Sequence, residues 1–363
     1  MAQPSGTPNG KGPLAGLRIV EFAAIGPVPY AVMLLADMGA EVLRILRDEA
    51  DWPDIPVISR GRADIILDLK SPAGQACARD AMAAADIVVE GFRPGVMERL
   101  GLGPEPAMEA NPRLIYARMT GWGQDGPIAH MSGHDINFLA LSGLLGQLKR
   151  DATPPDAPLN LLGDYAAGSL FLVIGIFAAL MERHRSGFGQ IIDAAIIDGA
   201  ASLLAPILGM AAVGLMEPSP AHSMLAGRAP YYRTYGCADG KDVAVGSLEP
   251  RFRARLAEGL GLTPADLDGD PAAASARVAG IFATAPRDHW MALFEGQDLC
   301  ISPVLSLDEA RNHPQIRHRA CYVEQQGLVQ PASAPRLSRT PMRPAPAPDL
   351  TDMLARWNIR PPE

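Results

Sequence analysis

"LRIVEFAAIGPVPYAVMLLADMGAEVLRIL", residues 17–46, changes its apolar period twice within thirty positions. "LRIVEFA" is a short, nearly continuous apolar run of strand type. "PVPYAVMLLADMGA" opens on proline, keeps a helical spacing and stops at Gly39, and "EVLRIL" is strand-like again. The stretch is therefore a β-α-β unit, and the pattern recurs: after "ILDLKS" comes the helical "PAGQACARDAMAAA" with Pro72 in its first turn, then the strand "DIVVEGF". "RLIYARMTGWG" adds a further strand that runs into a glycine-rich loop. Alternation of this kind builds an open parallel sheet with helices on its faces, in which ligands gather where the strands end. The first strand is followed by "AAIGPVPY" rather than Gly-x-Gly-x-x-Gly, which argues against a nicotinamide cofactor, and no Gly-x-x-x-x-Gly-Lys phosphate loop occurs.

At 363 residues with 48% apolar types, the chain is long enough for two domains with sizeable cores. A formal charge of −8 argues against a protein held on nucleic acid by phosphate contacts. Cys77, Cys237, Cys300 and Cys321 are scattered without framework spacing, and the polar start "MAQPSGTPNGKGP" has no export signal, so a reduced, cytoplasmic setting and a flexible N-terminal tail are expected. The apolar runs 165–181 and 199–216 approach membrane length; their alanine and glycine content reads as buried helices of a soluble core. Beyond residue 218 the texture turns antiparallel, with Asp-Gly between the arms of "CADGKDVAVG", followed by the helical "PRFRARLAEGLG" and "PRDHWMALFEG". The expected plan is an α/β protein. It has a large Rossmann-like domain of residues 13–190 and 335–363, a helical linker 191–221, and a small α+β domain 222–330. A Pro-rich return, 331–348, leads to the final helix "DLTDMLARWN".

"GWGQDGPIAHMSGHDINFLALSG", residues 121–143, sets His130 and His134 between a glycine-rich loop and an apolar run. Ser132 and Asp135 have capping-box spacing, so a helix is expected to begin near Gly133 with His134 in its first turn, where free N–H groups favour a neutral imidazole. His130 has no such placement. Further on, "PLNLLGDYAAGSLFLV" sets Asp164 before a long apolar helix, as its N-cap, with Asn160 four residues earlier. Either residue alone is an ordinary cap. A base and an acid together at two helix starts, beside glycines that admit a ligand, suit proton removal from carbon with backbone N–H groups on the enolate oxygen.

"GPLAGLRIVEFA", "MGAEVLRI", "LDLKS", "VVEGFRPGVMERLGLG", "RLIYARMTGWGQDGP", "GHDINF", "NLLGDYAAGS", "GQIIDAAIIDG", "PYYRTYGCADGKDVAVGSLEP" and "PRDHW" follow one another in order between residues 13 and 340. Together they resemble the α-methylacyl-CoA racemase family of the class III CoA-transferase superfamily. The resemblance implies an interlocked homodimer with active sites between the large domain of one chain and the small domain of the other. It also implies that no metal or redox cofactor takes part, and that CoA belongs to the substrate. It makes His134 and Asp164 the two proton carriers, the Asp135 N–H the receiver of the thioester oxygen, and Glu249 of a partner chain the residue that orients His134, with Asn160 nearby. It implies contacts to the CoA ester from Arg47, from Leu67, Asp68, Leu69 and Lys70, from Gly91, Phe92, Arg93 and Arg99, and from Gly133, Ile136, Asn137 and Phe138. Cationic side chains suit the anionic nucleotide. Phe138 stands where tyrosine is expected, and residues 48–58 and 203–219 match nothing that reports acyl specificity.

The expected activity is racemisation of 2-methylacyl-CoA esters by two-base proton transfer through an enolate, without insertion into a membrane. The nearest rival keeps the fold and uses Asp164 as the nucleophile of a class III CoA transferase. A second rival is a catalytically silent acyl-CoA-binding protein. His134 in "GHDINF" favours the racemase.

Overall fold

The computed structural model describes residues 12–47, 55–149, 153–216 and 224–362. The N-terminal tail 1–11, most of the uninformative stretch 48–58 and the start of the expected small domain lie outside those residues. The chain divides into two compact units, one of residues 1–142, 158–203 and 322–363, the other of 143–157 and 204–321.

In the first unit, β1 (Arg18–Phe22), β2 (Glu41–Leu46), β3 (Arg62–Ile66), β4 (Ile87–Glu90), β5 (Ile115–Thr120) and β6 (Ile191–Ala195) form one all-parallel sheet in the order β3-β2-β1-β4-β5-β6. This order reverses between β1 and β4, the switch point at which doubly wound sheets open a crevice. Residues 191–195, expected to begin a helical linker, are the sixth strand; "IIDAA" is too short and too Ala-rich to stand out as one. Helices Pro27–Asp37 and Pro72–Ala84 occupy their expected places; the second is capped by Ser71 Oγ, which accepts the Gly74 N–H at 3.0 Å.

Two charged side chains lie deep in the sheet. Glu21 on β1 pairs with Arg62 on β3, and Arg62 also donates to the Pro29 carbonyl at 2.6 Å, which ties the first helix to the sheet. Such groups stay buried only when paired.

The run expected as a buried helix is a nine-residue π-helical segment, Leu161–Ser169, that continues as the α-helix Leu170–Ser186. One face, with Leu172, Val173, Ile176 and Ala179, is buried, while Leu170, Ile174 and Met181 are exposed. By length and composition alone this helix could cross a bilayer. The second apolar run likewise departs from expectation, since among the described residues helix Ala205–Ala212 has none that is fully buried. An apolar composition reports low affinity for water, not the surface that covers it.

The second unit holds the antiparallel sheet β7 (Tyr232–Gly236), β8 (Asp242–Gly246) and β9 (Ile301–Pro303). Asp239 and Gly240 turn the first hairpin, with Gly240 at φ 73°. Tyr235, Phe282 and Trp290 stack at 5.1–5.3 Å between this sheet and its helices.

The hairpin β10 (Tyr322–Gln325) and β11 (Leu328–Pro331) groups with the first unit, which therefore resumes at residue 322 rather than 335. The reason lies at Asp37. Its buried carboxylate holds Arg60 at 2.6 Å, the Ser333 hydroxyl at 2.6 Å and the Ala345 N–H at 3.1 Å, while Arg60 reaches Gln330 at 2.8 Å. The last helix, Leu350–Trp357, then inserts Met353, Leu354 and Trp357 among the core residues of β1–β5 and helix 72–84.

Candidate active site

The loops that leave β1 and β4 meet at the switch point. Gly26, at φ 71°, ends the first loop, and a Cβ on Gly91 would come within 2.8 Å of the Ala24 methyl. Below this point the polar ends of two strands are locked together. Glu90, nearly fully buried, accepts Arg118 at 2.8 Å and the Phe92 N–H at 2.7 Å, and Arg118 also holds Glu98 at 2.7 Å. Burial pushes the Glu90 carboxyl above its usual range despite the guanidinium beside it, while Arg118 holds the more exposed Glu98 below its own. The loop between Glu90 and Glu98 carries Gly91, Phe92 and Arg93. Arg93 donates to Ser132 at 2.7 Å, and Arg99 follows on the surface.

That contact revises the expected cap. Ser132 is engaged by Arg93, and the helix runs from Asp135 to Ser142, so His134 stands at its cap position rather than in its first turn. The His134 carbonyl accepts from the Asn137 N–H at 2.7 Å, and Asn137 Oδ1 takes the His134 N–H at 3.1 Å. His134 is exposed, and the Asp135 amide is the first of the helix, with no intrahelical partner. Phe138, expected as a substrate contact, has its side chain buried against Trp122, with ring centres 4.6 Å apart, because Gly121 and Gly133 leave room for its ring. Gly133 is thus fixed by packing, Asn137 is a capping acceptor, and Ile136 is exposed.

Asp164 is likewise not an N-cap. It lies inside the first π-helical turn, behind Asn160, whose amide donates to Asp164 Oδ2 at 3.2 Å. Small residues let this segment form: a Cβ on Gly199 would strike the Ala167 carbonyl, and Ser169 Oγ donates to the Pro27 carbonyl at 2.7 Å. π-Helical turns recur at functional sites because they displace side chains from the ordinary helical register.

Asp135 Oδ2 accepts the Asp164 N–H at 2.7 Å, and a Cβ on Gly163 would overlap that same oxygen. Burial raises the Asp164 carboxyl above its usual range, Asn160 opposes this, the Asp135 charge adds to it, and the His134 side chain reaches Asp164 electrostatically. Burial likewise raises Asp135, against the amides of Asp164 and Gly163. Three titratable side chains, those of His134, Asp135 and Asp164, and the first amide of a helix thus share the ends of two helices.

The other expected contacts are dispersed around the strand ends. Arg47 follows β2. Leu67 and Leu69 bury their side chains in the core and could meet a ligand only through backbone, whereas Asp68 and Lys70 are exposed, with Asp68 accepting the Lys70 N–H at 2.9 Å. Glu249, in the second unit, is exposed at the start of helix Pro250–Gly259 and makes no capping bond there. Sequence reasoning missed the Glu90–Arg118–Glu98 cluster. Its signal was present as single charges in the otherwise apolar strand segments "IVVE" and "IYARM", which must find partners when buried.

Known proteins share the sequence and the fold of this chain. The α-methylacyl-CoA racemase of Mus musculus is 42% identical over 338 residues, 92% of this chain and 88% of that protein, and that of Homo sapiens is 41% identical over the same shares. The acetyl-CoA:oxalate CoA-transferase of Acetobacter aceti is 28% identical over 90% of each chain. A CAIB/BAIF family protein from Brucella suis has the same fold, with a TM-score of 0.83 at 25% identity over 96% of this chain and 100% of that one. With residues 14–352 matching the family's model, the chain belongs to CoA-transferase family III.

Proposed function

We propose that the protein is a racemase of 2-methylacyl-CoA esters that uses His134 and Asp164 as its two proton carriers. The supporting observation is their meeting at two helix starts, with the Asp135 carboxylate joined to the Asp164 amide at 2.7 Å; similarity to the mouse and human racemases points the same way. Inversion at carbon requires a proton to leave one face of a planar enolate and to arrive on the other, so two groups serve better than one. One carrier takes the α-proton, the thioester oxygen takes up the charge against the Asp135 N–H, and the other carrier returns a proton. One well-placed donor of that kind contributes about 3–4 kcal/mol. The raised Asp164 carboxyl suits a group that must both hold and release a proton. Arg47, Lys70, Arg93 and Arg99 would meet the anionic CoA moiety, Asn160 would steady Asp164, and Glu249 of a partner chain in a homodimer would orient His134. No metal or redox group is needed in this scheme.

A single enantiomer of a 2-methylacyl-CoA, incubated in deuterated water and followed by NMR, should gain α-deuterium as its configuration scrambles, with no CoA released. His134→Ala and Asp164→Ala should each lower the rate ~10²–10⁴-fold. Transfer of CoA to a carboxylic acid through a thioester trapped on Asp164, with the α-carbon unexchanged, would replace this reading with the transferase. Binding without exchange would leave a silent acyl-CoA-binding protein.

A further inference from the structure

Asp135 sends its two polar groups in different directions. Its amide opens the helix Asp135–Ser142, whereas its carboxylate turns away and accepts the Asp164 N–H at 2.7 Å, at the start of the π-helical segment. An acidic side chain in a first turn ordinarily serves its own helix. Here that duty falls to Asn137, whose Oδ1 takes the His134 N–H. Asp135 is only 8% exposed, so its bond to the second helix start is formed away from water, and Gly163 is bare where a Cβ would overlap the carboxylate. Its other oxygen, Oδ1, is buried and accepts no well-formed hydrogen bond among the described residues, the Gly163 amide beside the carboxylate acting on its charge only. A buried carboxylate so incompletely bonded is an expensive way to stabilise a fold.

We infer that the Asp135 side chain is a positioning residue, holding the backbone of Asp164 at a fixed spacing from the Asp135 amide so that one residue sets both the carboxyl base and the donor to the enolate oxygen. The inference rests on the racemase reading above. Displacement of a reacting group by about 1 Å can cost ~10²-fold in rate, so a latch of this kind acts on turnover more than on binding. It also carries charge. Among the described residues, the titratable groups whose field reaches Asp164 are Asp135, which raises its carboxyl, and His134, which opposes this.

The test compares wild type, Asp135→Ala and Asp135→Asn as full-length chains, measuring thermal midpoint, KM and kcat for α-deuterium exchange, and the pH profile of kcat. Asp135→Ala should retain KM within about 3-fold and lose ~10²-fold in kcat. Asp135→Asn, which keeps an acceptor oxygen of the same shape, should recover part of that loss. With the neighbouring charge gone, Asp164 stays ionised to lower pH, so the acid limb of the asparagine variant should move down. Variants with lowered midpoints but wild-type kcat and pH profile would overturn the inference. If the alanine variant does not fold, the asparagine variant decides by the same criteria. A wild type that exchanges no α-hydrogen sinks the racemase reading itself, a result distinct from variants that match an active wild type.

Discussion

Gly163 occupies a position where one added methyl group has a defined consequence. Its Cβ would fall on Asp135 Oδ2, and the hydrogen bond beneath it joins the two helix starts that carry His134 and Asp164. Overpacking of this sort typically costs about 1–3 kcal/mol. Gly163→Ala should therefore lower the urea unfolding midpoint and reduce the exchange rate at saturating substrate at least ~10-fold through misplacement of the base. Wild-type turnover in a folded Gly163→Ala variant would show that the spacing of the two starts does not matter. At this scale the sequence was legible in part. His134 and Asp164 stood out as polar residues beside glycines at the ends of apolar runs. The Asp135 side chain did not, because its partner lies 29 residues away and local spacing pointed to Ser132 instead, which Arg93 engages from 39 residues away.

The carboxyl ends of β4 and β5 act together through Arg118, which bridges the nearly fully buried Glu90 and the more exposed Glu98. Replacing Arg118 with methionine would leave Glu90 buried without its counter-ion, and removal of one partner from a buried pair typically costs about 3–5 kcal/mol. Urea unfolding of Arg118→Met at pH 7 should show a loss of that size. The pH dependence has a definite sign. Burial already holds the Glu90 carboxyl above its unfolded value, and loss of the guanidinium raises it further, so the folded state binds the extra proton. The penalty should be greatest at neutral pH and shrink as pH falls through the raised value; a penalty that grows with acidification would contradict this account. The strands themselves were legible because both faces of a parallel sheet are covered, which imposes the apolar runs of β1, β2 and β4. The π-helical register of Leu161–Ser169 was not. It depends on backbone-to-backbone packing of Gly199 on Ala167, and no local pattern reports that.

For the molecule as a whole, the exposed Leu170, Ile174 and Met181 and the helix Ala205–Ala212, none of whose residues is fully buried, leave apolar surface uncovered among the described residues. The proposed homodimer would set Glu249 of one chain beside His134 of the other. Co-expression of His134→Ala and Glu249→Ala chains, each inactive alone, should then restore activity, since every mixed dimer owns one intact site. Verified heterodimers of folded chains without activity would remove Glu249 from the site. The two-part plan was legible from the change of texture near residue 218, but the attachment of β10–β11 to the first unit was not, since it rests on the contacts of Asp37 with Ser333 and Ala345, roughly 300 positions apart in sequence. That knot, with Met353 and Trp357 buried behind it, bears on how the protein is made. Five strands of the parallel sheet have left the ribosome by residue 120, yet their core stays open until residues 350–359 emerge. At a synthesis rate of ~5–20 residues per second, the gap lasts roughly 10–50 s. Throughout that interval the nascent chain exposes the apolar surface that Trp357 will cover, and its exposure to aggregation ends only when the last helix docks.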